Sequence, residues 1–299
     1  MSDSTSNDAT QGYLLIIGGS EDRQGEMLVL TRFVELCGGK DQPIVVMTAA
    51  SEIPDEVWSQ YKAAFAALDV HHLSHVHLDA PKEASSEKVL APLRQARGVF
   101  MTGGDQKRLM EMLLDTPLHE ELRTAYRERG VCVAGTSAGA SAMSRLMLAE
   151  GDSDLQPEKG AVELESGLGM VSHIVVDQHF AQRGRLPRLL SVLAEHPELH
   201  GIGIDENTAL AIRPGHGIEV VGEGGIALVD GRNMLSNLAD IPKHASPRLI
   251  NIRLHVLPSG TRFSAGAVDG PELPPEPFRE FFDALVEQAE PAPTSSSGA

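Results

Sequence analysis

The sequence predicts an α/β protein built on a mainly parallel, doubly wound sheet with helices on both faces. From Tyr13 to Ala134, short apolar runs alternate with longer segments whose apolar residues recur at helical spacing. Strands separated by amphipathic helices form a parallel sheet, because each helix carries the chain back to the same edge. After Asn207 the runs are short and separated by Gly-rich turns, which predicts antiparallel additions in the C-terminal third.

The order of the elements follows from these apolar runs. In the first half of the chain we expect strands at 13–17, at 43–47, within 71–78, at 98–101 and at 131–134. The intervening helices are expected at 21–37, 54–68, 86–96, 106–114 and 119–129. A further helix is expected over 141–150, where Met143, Leu146 and Met147 recur at helical spacing.

The second half continues the pattern and then changes it. Buried strands are expected at 174–178 and 201–204, followed by shorter strands at 208–212, 217–221 and 226–229. A helix is expected near Pro187, because Leu186, Leu189, Leu190 and Leu193 form an apolar stripe. The continuous pattern predicts one domain, 13–287, between disordered tails at 1–12 and 288–299. The segment from about Pro242 onward carries no motif that can be assigned.

The composition argues against several classes of function. The 299 residues include 25 basic and 42 acidic side chains, a formal charge of −17, which argues against binding to nucleic acids or anionic membranes. No apolar stretch approaches membrane-spanning length, and the polar N-terminus predicts no secretory signal. Cys37 and Cys132 lie in apolar stretches, as buried thiols in a reducing compartment do. We therefore expect a cytoplasmic protein without a cofactor.

The segment Gly-Thr-Ser-Ala-Gly-Ala at 135–140 is the most informative motif of the chain. It lies between an apolar strand and a predicted helix, as a nucleophile elbow does. The tight turn needs glycine on both sides of Ser137, and it leaves the serine at a helix N-terminus, where backbone N–H groups favour a developing anion. Ser137 is therefore predicted to be a nucleophile.

A nucleophilic serine needs a base and an acid partner. His179 is the favoured base, because it follows a buried strand and so lies at the expected catalytic edge of the sheet. Glu206, which follows the strand at 201–204, is favoured as the acid on position alone, with Asp152 and Asp154 as alternatives. Serine, then histidine, then acid is not the chain order of α/β-hydrolases, in which the acid comes second.

A cluster of four further histidines invites a metal interpretation. Its members are His71, His72, His75 and His77. The nearby carboxylates, Asp69 and Asp79, form no recognisable ligand spacing with them. No metal site is therefore expected.

Two glycine pairs follow predicted strands. Gly103-Gly104 follows the strand before the elbow strand, so its backbone N–H groups can face the same pocket. We expect Gly104 and Ala138 to form an oxyanion hole. Gly18-Gly19 lacks the remaining residues of a phosphate-binding loop, which argues against nucleotide binding.

Arg183, Arg185 and Arg188 follow the candidate base closely. Three guanidiniums repel one another unless anions lie between them, and the planar fork of arginine suits carboxylates. In a chain with a formal charge of −17, this local positive cluster predicts a pocket for substrate carboxylates. A solvated helix face paired with acidic side chains is the alternative.

Together these motifs resemble the cyanophycinases, which belong to the serine peptidase family that also contains the bacterial α-aspartyl dipeptidases. The resemblance extends from about Gly12 to about Val229, and its motifs lie at 18–22, 103–106, 135–140, 177–188 and 203–209. The most specific motif is Asp-Gln-His-Phe-x-x-Arg-x-Arg, which begins at Asp177. The resemblance implies a fold similar to class I glutamine amidotransferases, which carry cysteine where this chain has Ser137.

The resemblance implies a serine exopeptidase that hydrolyses cyanophycin, a poly-aspartate with arginine on each β-carboxyl, to β-Asp-Arg dipeptides. It implies Ser137 as the nucleophile, His179 as general base and acid, and Glu206 as the residue that orients His179. The implied substrate pocket consists of Gln106, Asp177, Gln178, Arg183, Arg185 and Arg188. The guanidiniums of the polymer call for acidic partners such as Asp177 or Asp105. A homodimer is a further implication.

Two other functions stay open at this point. One is an aspartyl dipeptidase that acts on short α- or β-aspartyl peptides, and the other is a non-catalytic relative that binds acidic peptides. The arginine cluster favours the polymer over a dipeptide, because a repeating chain offers several carboxylates at once. An intact Ser137 and His179 count against a non-catalytic protein.

Overall fold

The computed structural model describes residues 11–151, 155–266 and 272–287. Its strands are β1 (Leu14–Ile17), β2 (Ile44–Met47), β3 (Leu73–Val76), β4 (Gly98–Met101), β5 (Cys132–Thr136), β6 (Leu146–Gly151), β7 (Val162–Ser166), β8 (Ile174–Asp177), β9 (His200–Ile204), β10 (Thr208–Arg213), β11 (Gly217–Gly222), β12 (Gly225–Asp230), β13 (Leu235–Ser236), β14 (Leu249–Ile250), β15 (Arg253–Pro258) and β16 (Arg262–Ser264). Its helices are α1 (Leu28–Leu36), α2 (Pro54–Ala67), α3 (Glu87–Gln95), α4 (Gln106–Leu113), α5 (Pro117–Arg129), α6 (Ala138–Ser141), α7 (Leu186–Glu195) and α8 (Glu276–Val286). Apart from Gln11 and Gly12, the expected tails lie outside the described residues, as do the alternative acids Asp152 and Asp154.

The main sheet has eight strands in the order β16-β11-β10-β1-β5-β4-β2-β3. The five strands from β1 to β3 in this order are parallel to one another. β10, β11 and β16 extend the sheet beyond β1 through antiparallel pairings, so that Leu15 lies between Ala134 on one side and Ala211 on the other. The predicted α/β class, with a mainly parallel sheet and antiparallel additions, is confirmed.

β8 and β9 lie in a second sheet of four strands, ordered β15-β12-β9-β8. The sequence predicts that these two strands belong to the main sheet, with their carboxyl ends at its catalytic edge, and that prediction is wrong. β10 pairs antiparallel with β1 and fills its free side, so β8 and β9 pair in parallel with each other and β9 pairs with β12. The residues that follow β8 and β9 therefore approach the main sheet from a separate layer.

Both faces of the central strands are covered by helices. Leu15 and Phe100 belong to a buried apolar cluster with residues of α1 and α2, where the rings of Phe33 and Phe100 lie 5.3 Å apart. Ile16 points to the opposite face, because side chains alternate along a strand, and packs in a cluster with residues of α3, α4, α5 and α8. Apolar packing on both faces explains why these strands are nearly continuous apolar runs.

The segment after Pro242 completes the second face of the main sheet. α8 buries Phe278, Phe281 and Phe282 against the side that carries β10 and β11. These aromatic side chains belong to the same apolar cluster as Ile16. Among the described helices, none is both long and apolar enough to cross a membrane.

The first helix begins seven residues later than predicted, at Leu28 rather than at residue 21. The Asp22 carboxylate accepts hydrogen bonds from the backbone N–H groups of Gln24, Gly25 and Met27 at 3.0, 2.8 and 2.9 Å. These bonds lower the pKa of Asp22 to about 2 and hold the chain in a turn. A side chain that binds nearby backbone N–H groups competes with a helix for the same donors.

The helix predicted over 141–150 is also wrong, because α6 ends at Ser141 and the chain continues as β6. The carbonyl of Ala142 accepts the Leu168 N–H at 2.7 Å, and that of Met143 accepts the Met170 N–H at 2.9 Å. In a continuing helix these carbonyls would instead accept hydrogen bonds from the N–H groups of the next turn. β6 then pairs antiparallel with β7, so tertiary pairing overrides the local helical spacing.

Candidate active site

Ser137 lies in a strained turn between β5 and α6. Its backbone torsion angles are φ 52° and ψ −110°, a combination that is rare for a residue with a side chain. Gly135 permits the turn, because a Cβ atom there would lie 2.3 Å from the carbonyl oxygen of Gly139. The strand, turn and helix expected at 135–140 are present, although the helix has a single turn.

Hydrogen bonds join the side chains of three predicted residues, Ser137, His179 and Glu206, in series. The Ser137 hydroxyl oxygen lies 3.0 Å from Nε2 of His179, and Nδ1 of His179 lies 2.6 Å from Oε1 of Glu206. Because a carboxylate only accepts hydrogen bonds, Nδ1 carries the proton and Nε2 is free to accept the serine hydrogen. The structure therefore brings these residues together in the order that activation of a serine by a base requires.

The Gly18-Gly19 turn holds His179 in place. The His179 N–H donates to the Gly18 carbonyl at 2.7 Å, and the Asn207 N–H donates to the Gly19 carbonyl at 2.8 Å. A Cβ atom on Gly19 would lie 2.3 Å from Cε1 of His179, so a larger residue would displace the imidazole. This glycine pair, which lacks the signature of a phosphate loop, supports the candidate base.

The surroundings of His179 favour its neutral form. Burial lowers the pKa of His179 below its ordinary value, the hydrogen bond to Glu206 opposes that effect, and the charges of Arg183 and Arg185 add to the lowering. A neutral imidazole is the form that accepts a proton. His179 is therefore available as a general base at neutral pH.

A cavity of about 660 Å³ opens in front of Ser137 and His179. Its remaining wall consists of Ser20, Glu21, Arg23, Ala50, Ser51, Glu52, Ile53, Val57, Tyr61, Gly103, Gly104, Asp105, Gln106, Lys107, Thr136, Ala149 and Glu150. Side chains of both charges are present, together with an apolar section. A concave pocket beside a serine hydroxyl that is hydrogen-bonded to a histidine is the expected place for a substrate.

The predicted oxyanion donors are the backbone N–H groups of Gly104 and Ala138. Gly104 lines the cavity, whereas Ala138 is buried at the first position of α6. Neither N–H group donates a hydrogen bond to another described residue. Gly104 has φ 145°, and a Cβ atom there would lie 2.1 Å from the carbonyl oxygen of Ala50, so the position requires glycine. Free backbone donors beside a nucleophile are what an oxyanion site needs.

Asp105 and Gln106 stabilise the rim of the cavity. The Asp105 carboxylate accepts the N–H groups of Lys107 and Arg108 at 2.7 and 3.1 Å, and so caps α4. The Gln106 side chain donates to the Ala149 carbonyl at 2.6 Å. Gln106 lines the cavity as predicted, but its amide N–H group is held by β6.

Asp177, Gln178, Arg185 and Arg188 form a buried polar cluster that does not line the cavity. Arg188 donates to the two oxygens of Asp177 at 2.9 and 2.5 Å. Arg185 donates to the Gln178 backbone carbonyl at 2.6 Å and to its side-chain oxygen at 2.8 Å. Arg185 and Arg188, two of the three arginines predicted to bind substrate carboxylates, are thus buried and bound to groups of the protein itself, although Nε of Arg185 has no partner among the described residues.

Arg183 differs from the other two arginines because it is exposed. It forms no ion pair with a described residue, and its charge lies near enough to lower the pKa of His179. Arg183 is therefore the arginine of this cluster that remains available for a substrate carboxylate.

Sequence reasoning missed Glu21, whose side chain is 4% exposed at the inner wall of the cavity. Its carboxylate accepts hydrogen bonds from the hydroxyl of Tyr61 and, at 2.5 Å, from the hydroxyl of Thr136. Burial first, and the charge of Glu21 second, raise the pKa of Tyr61 well above its ordinary value, so Tyr61 stays a donor. The sequence signal that could have identified Glu21 is its position just after β1, because ligands bind beyond the carboxyl ends of parallel strands.

The histidines at 71–77 form no metal site in the described part of the chain. His75 and His77 both lie beside the Thr48 hydroxyl, at 2.8 and 3.1 Å. His75 also stacks on Trp58, with 4.7 Å between ring centroids. Within residues 11–151, 155–266 and 272–287, no group of three or more His, Cys, Asp or Glu could hold a metal ion.

Comparison with known proteins identifies the class. Residues 14–220 match the sequence profile of Peptidase family S51. A cyanophycinase from Geminocystis herdmanii is 36% identical over 252 residues, which cover 84% of this chain and 93% of that protein. A cyanophycinase from Synechococcus elongatus is 36% identical over 251 residues, which cover 84% of this chain and 78% of that protein.

A solved structure has the same fold. The crystal structure of a peptidase from an acI-B1 Actinobacterium superimposes with a TM-score of 0.63 at 21% identity, and covers 86% of this chain and 98% of its own. The protein is a hydrolase of the serine peptidase class. It belongs to peptidase family S51, because the family profile and the relatives cover most of the chain.

Replacing the two charged neighbours of His179 should move its pKa in opposite directions. The pKa of His179 should lie below the ordinary 6.5. Arg183→Ala should raise it, because a repelling positive charge is removed, and Glu206→Gln should lower it further, because the carboxylate acceptor is lost. NMR pH titration of the labelled imidazole measures all three values. Shifts of the opposite sign would contradict this electrostatic account.

Removing one partner of the buried ion pair should destabilise the fold strongly. Arg188→Met should cost about 3–5 kcal/mol of unfolding free energy, because the Asp177 carboxylate stays buried without its main partner. Arg183→Met is the matched control at an exposed site and should change stability by less than about 0.5 kcal/mol. Urea denaturation measures both. Equal, small losses would show that the buried pair contributes nothing to stability.

Proposed function

We propose that this chain hydrolyses cyanophycin to β-Asp-Arg dipeptides, with Ser137 as the nucleophile, His179 as base and acid, and Glu206 as the orienting acid. The main support for this proposal is the pair of hydrogen bonds that joins Ser137 to His179 and His179 to Glu206. Ser137 and His179 lie at the wall of the cavity. The relatives that are 36% identical over 84% of the chain are named cyanophycinases, which supplies the substrate.

The first half of the reaction forms an acyl-enzyme. Nε2 of His179 takes the hydroxyl proton as Oγ of Ser137 attacks the carbonyl carbon of the scissile peptide bond. Negative charge develops on the carbonyl oxygen, where the N–H groups of Gly104 and Ala138 stabilise it. The C–N bond then breaks, His179 gives its proton to the leaving amine, and the acyl group stays on Ser137 as an ester.

The second half returns the serine. A water molecule enters in place of the leaving amine, gives a proton to Nε2 of His179 and attacks the ester carbonyl. The tetrahedral species collapses to a carboxylic acid, which loses its proton to solvent, and Ser137 recovers its proton from His179. Glu206 keeps the imidazole in the tautomer that both halves need and stabilises the imidazolium that forms in each.

The charges at the site suit a substrate with both carboxylates and guanidiniums. Arg183 is exposed and free of ion pairs with described residues, so it can meet a free carboxylate of the polymer. The buried cluster of Asp177, Gln178, Arg185 and Arg188 holds the segment that carries His179. We assign this cluster an indirect role, the positioning of the base, in place of direct contact with substrate.

We also infer a homodimer and a cytoplasmic location. β15 is the last strand of its sheet among the described strands, and its Leu254 and Val256 are 51% and 65% exposed. An apolar edge strand is a surface that a second copy would cover.

Cys37 and Cys132 are both buried free thiols, as a reducing compartment favours.

The purified protein should clear a cyanophycin suspension and release β-Asp-Arg. Because the line of hydrogen bonds activates the hydroxyl, Ser137→Ala should lower kcat roughly 10⁴- to 10⁶-fold, and Glu206→Gln roughly 10³- to 10⁴-fold. Turbidity measures the clearance, and chromatography of the products measures dipeptide release.

Matched variants separate the assigned residues from their competitors. His75→Ala controls for His179→Ala, and Asp152→Asn controls for Glu206→Gln; both controls should keep nearly the wild-type kcat. Clearance that survives Ser137→Ala would remove Ser137 from its role. Loss of activity in Asp152→Asn, with activity retained in Glu206→Gln, would transfer the orienting role to Asp152. Hydrolysis of short aspartyl dipeptides without clearance would overturn the polymer as the substrate.

A further inference from the structure

Glu21 is a buried carboxylate at the cavity wall that the hydrolytic mechanism does not use. Its side chain is 4% exposed and follows β1. Thr136, the residue before the nucleophile, donates its hydroxyl to one carboxylate oxygen, and Tyr61 donates its hydroxyl to the other. A carboxylate offers about four acceptor positions, so Glu21 can accept further hydrogen bonds.

The charge of Glu21 has no cationic partner within ion-pair distance among the described side chains. Arg23, which also lines the cavity, donates to Gln60 at 2.7 Å and lies over the Tyr61 ring, 5.3 Å from its centroid. Lys107, the other cation at the cavity, pairs with Glu150 at 2.7 Å. Buried carboxylates are normally paired with cations, so an unpaired one at a cavity wall indicates a partner supplied by the ligand.

The same cavity offers a surface for an alkyl chain that ends in a cation. Ile53, Val57 and Tyr61 form an apolar section of its wall, and Ile53 is 54% exposed. Arginine lays its methylene stem on apolar surface, and its planar guanidinium forms paired hydrogen bonds with a carboxylate. Ile53, Val57 and Tyr61 can receive the stem, and Glu21 can receive the guanidinium.

The acidic residues that the sequence favours for this task are engaged elsewhere. Asp177 is bound by Arg188 behind His179 and does not line the cavity. Asp105 lines the cavity, but its carboxylate caps α4 by accepting the Lys107 N–H at 2.7 Å. Among the acids of the cavity wall, Glu21 alone combines burial with the lack of an ion pair to a described residue.

We propose that Glu21 binds the guanidinium of the substrate arginine and makes the site selective for arginylated aspartyl chains. This inference rests on the proposed function and names the residue that recognises the arginine. Thr136 links Glu21 to the turn that carries Ser137, so a guanidinium held by Glu21 places its own aspartyl unit near the nucleophile. Glu21 is a specificity-determining residue, and it takes no part in proton transfer.

The test compares two synthetic substrates that differ only in charge. One is an oligomer of three Asp-Arg units, and the other carries citrulline, which has the shape of arginine but a neutral urea group. The wild type should prefer the arginyl oligomer by about 10- to 100-fold in kcat/KM, because a hydrogen-bonded charge pair is lost with citrulline. Glu21→Gln should bring this ratio to about 1 while kcat/KM for the citrullinyl oligomer stays within about threefold.

Glu56→Gln is the matched control, because it removes an exposed carboxylate from α2 and should keep the wild-type ratio. An equal loss on both substrates in Glu21→Gln would assign Glu21 a purely structural role and overturn the proposal. A wild-type ratio near 1 would overturn it without any variant, so the test holds even if Glu21→Gln fails to fold. A wild type that hydrolyses neither oligomer and leaves cyanophycin intact would instead refute the proposed function, and the role of Glu21 with it.

Discussion

The geometry of the site depends on the backbone junction at Gly18-Gly19, where the two sheets meet. Gly18 donates its N–H to the Thr208 carbonyl at 2.9 Å and accepts the His179 N–H at 2.7 Å, while Gly19 accepts the Asn207 N–H at 2.8 Å. Ser137 follows a strand of the main sheet, whereas His179 and Glu206 follow strands of the second. Backbone hydrogen bonds at the junction therefore position His179 and the residue after Glu206 relative to β1 of the main sheet. A Cβ atom on Gly18 would lie 2.0 Å from the carbonyl oxygen of Asp205, so a larger residue would separate the sheets.

The buried ion pair between Asp177 and Arg188 also helps to position His179. A buried ion pair repays the cost of removing its charges from water only when its geometry is good, so it is weak evidence for stability as such. Here Asp177 and Arg188 fix the end of β8, and Arg188 also donates to the Gly151 carbonyl at 2.8 Å, which joins β8 to β6. The pair thus anchors the segment that presents His179, while burial first, and the charges of Arg183 and Arg185 in addition, keep the pKa of His179 low.

The sequence predicts the site residues whose position can be read from the neighbouring residues alone. Ser137, His179 and Glu206 each follow an apolar run, and the carboxyl end of a strand is where such residues gather. The sheet assignment of β8 and β9 could not be predicted, because it depends on β10 pairing with β1. The start of the first helix and the absence of a helix over 142–150 could not be predicted for a similar reason: the Asp22 turn and the pairing of β6 with β7 override helical spacing.

The partners of the charged residues could not be predicted from the sequence either. The repulsion among three neighbouring arginines indicates that anions lie between them, but it does not say whether these belong to the protein or to a ligand. The structure places Asp177 between Arg185 and Arg188. Glu21 lies in a polar run without periodicity, and its meaning appears only once Thr136 and Tyr61, distant in sequence, are seen to surround it.

We propose that the strained serine is activated by the histidine that the glycine junction holds against it. Labelling with a fluorophosphonate tests it most directly, because such reagents modify serines that a base and oxyanion donors activate. Mass spectrometry should find one adduct per chain on the peptide that contains Ser137, formed slowly in Glu206→Gln and absent in His179→Ala. An adduct on a different residue, or labelling of Ser137 that proceeds unchanged in His179→Ala, would contradict the account.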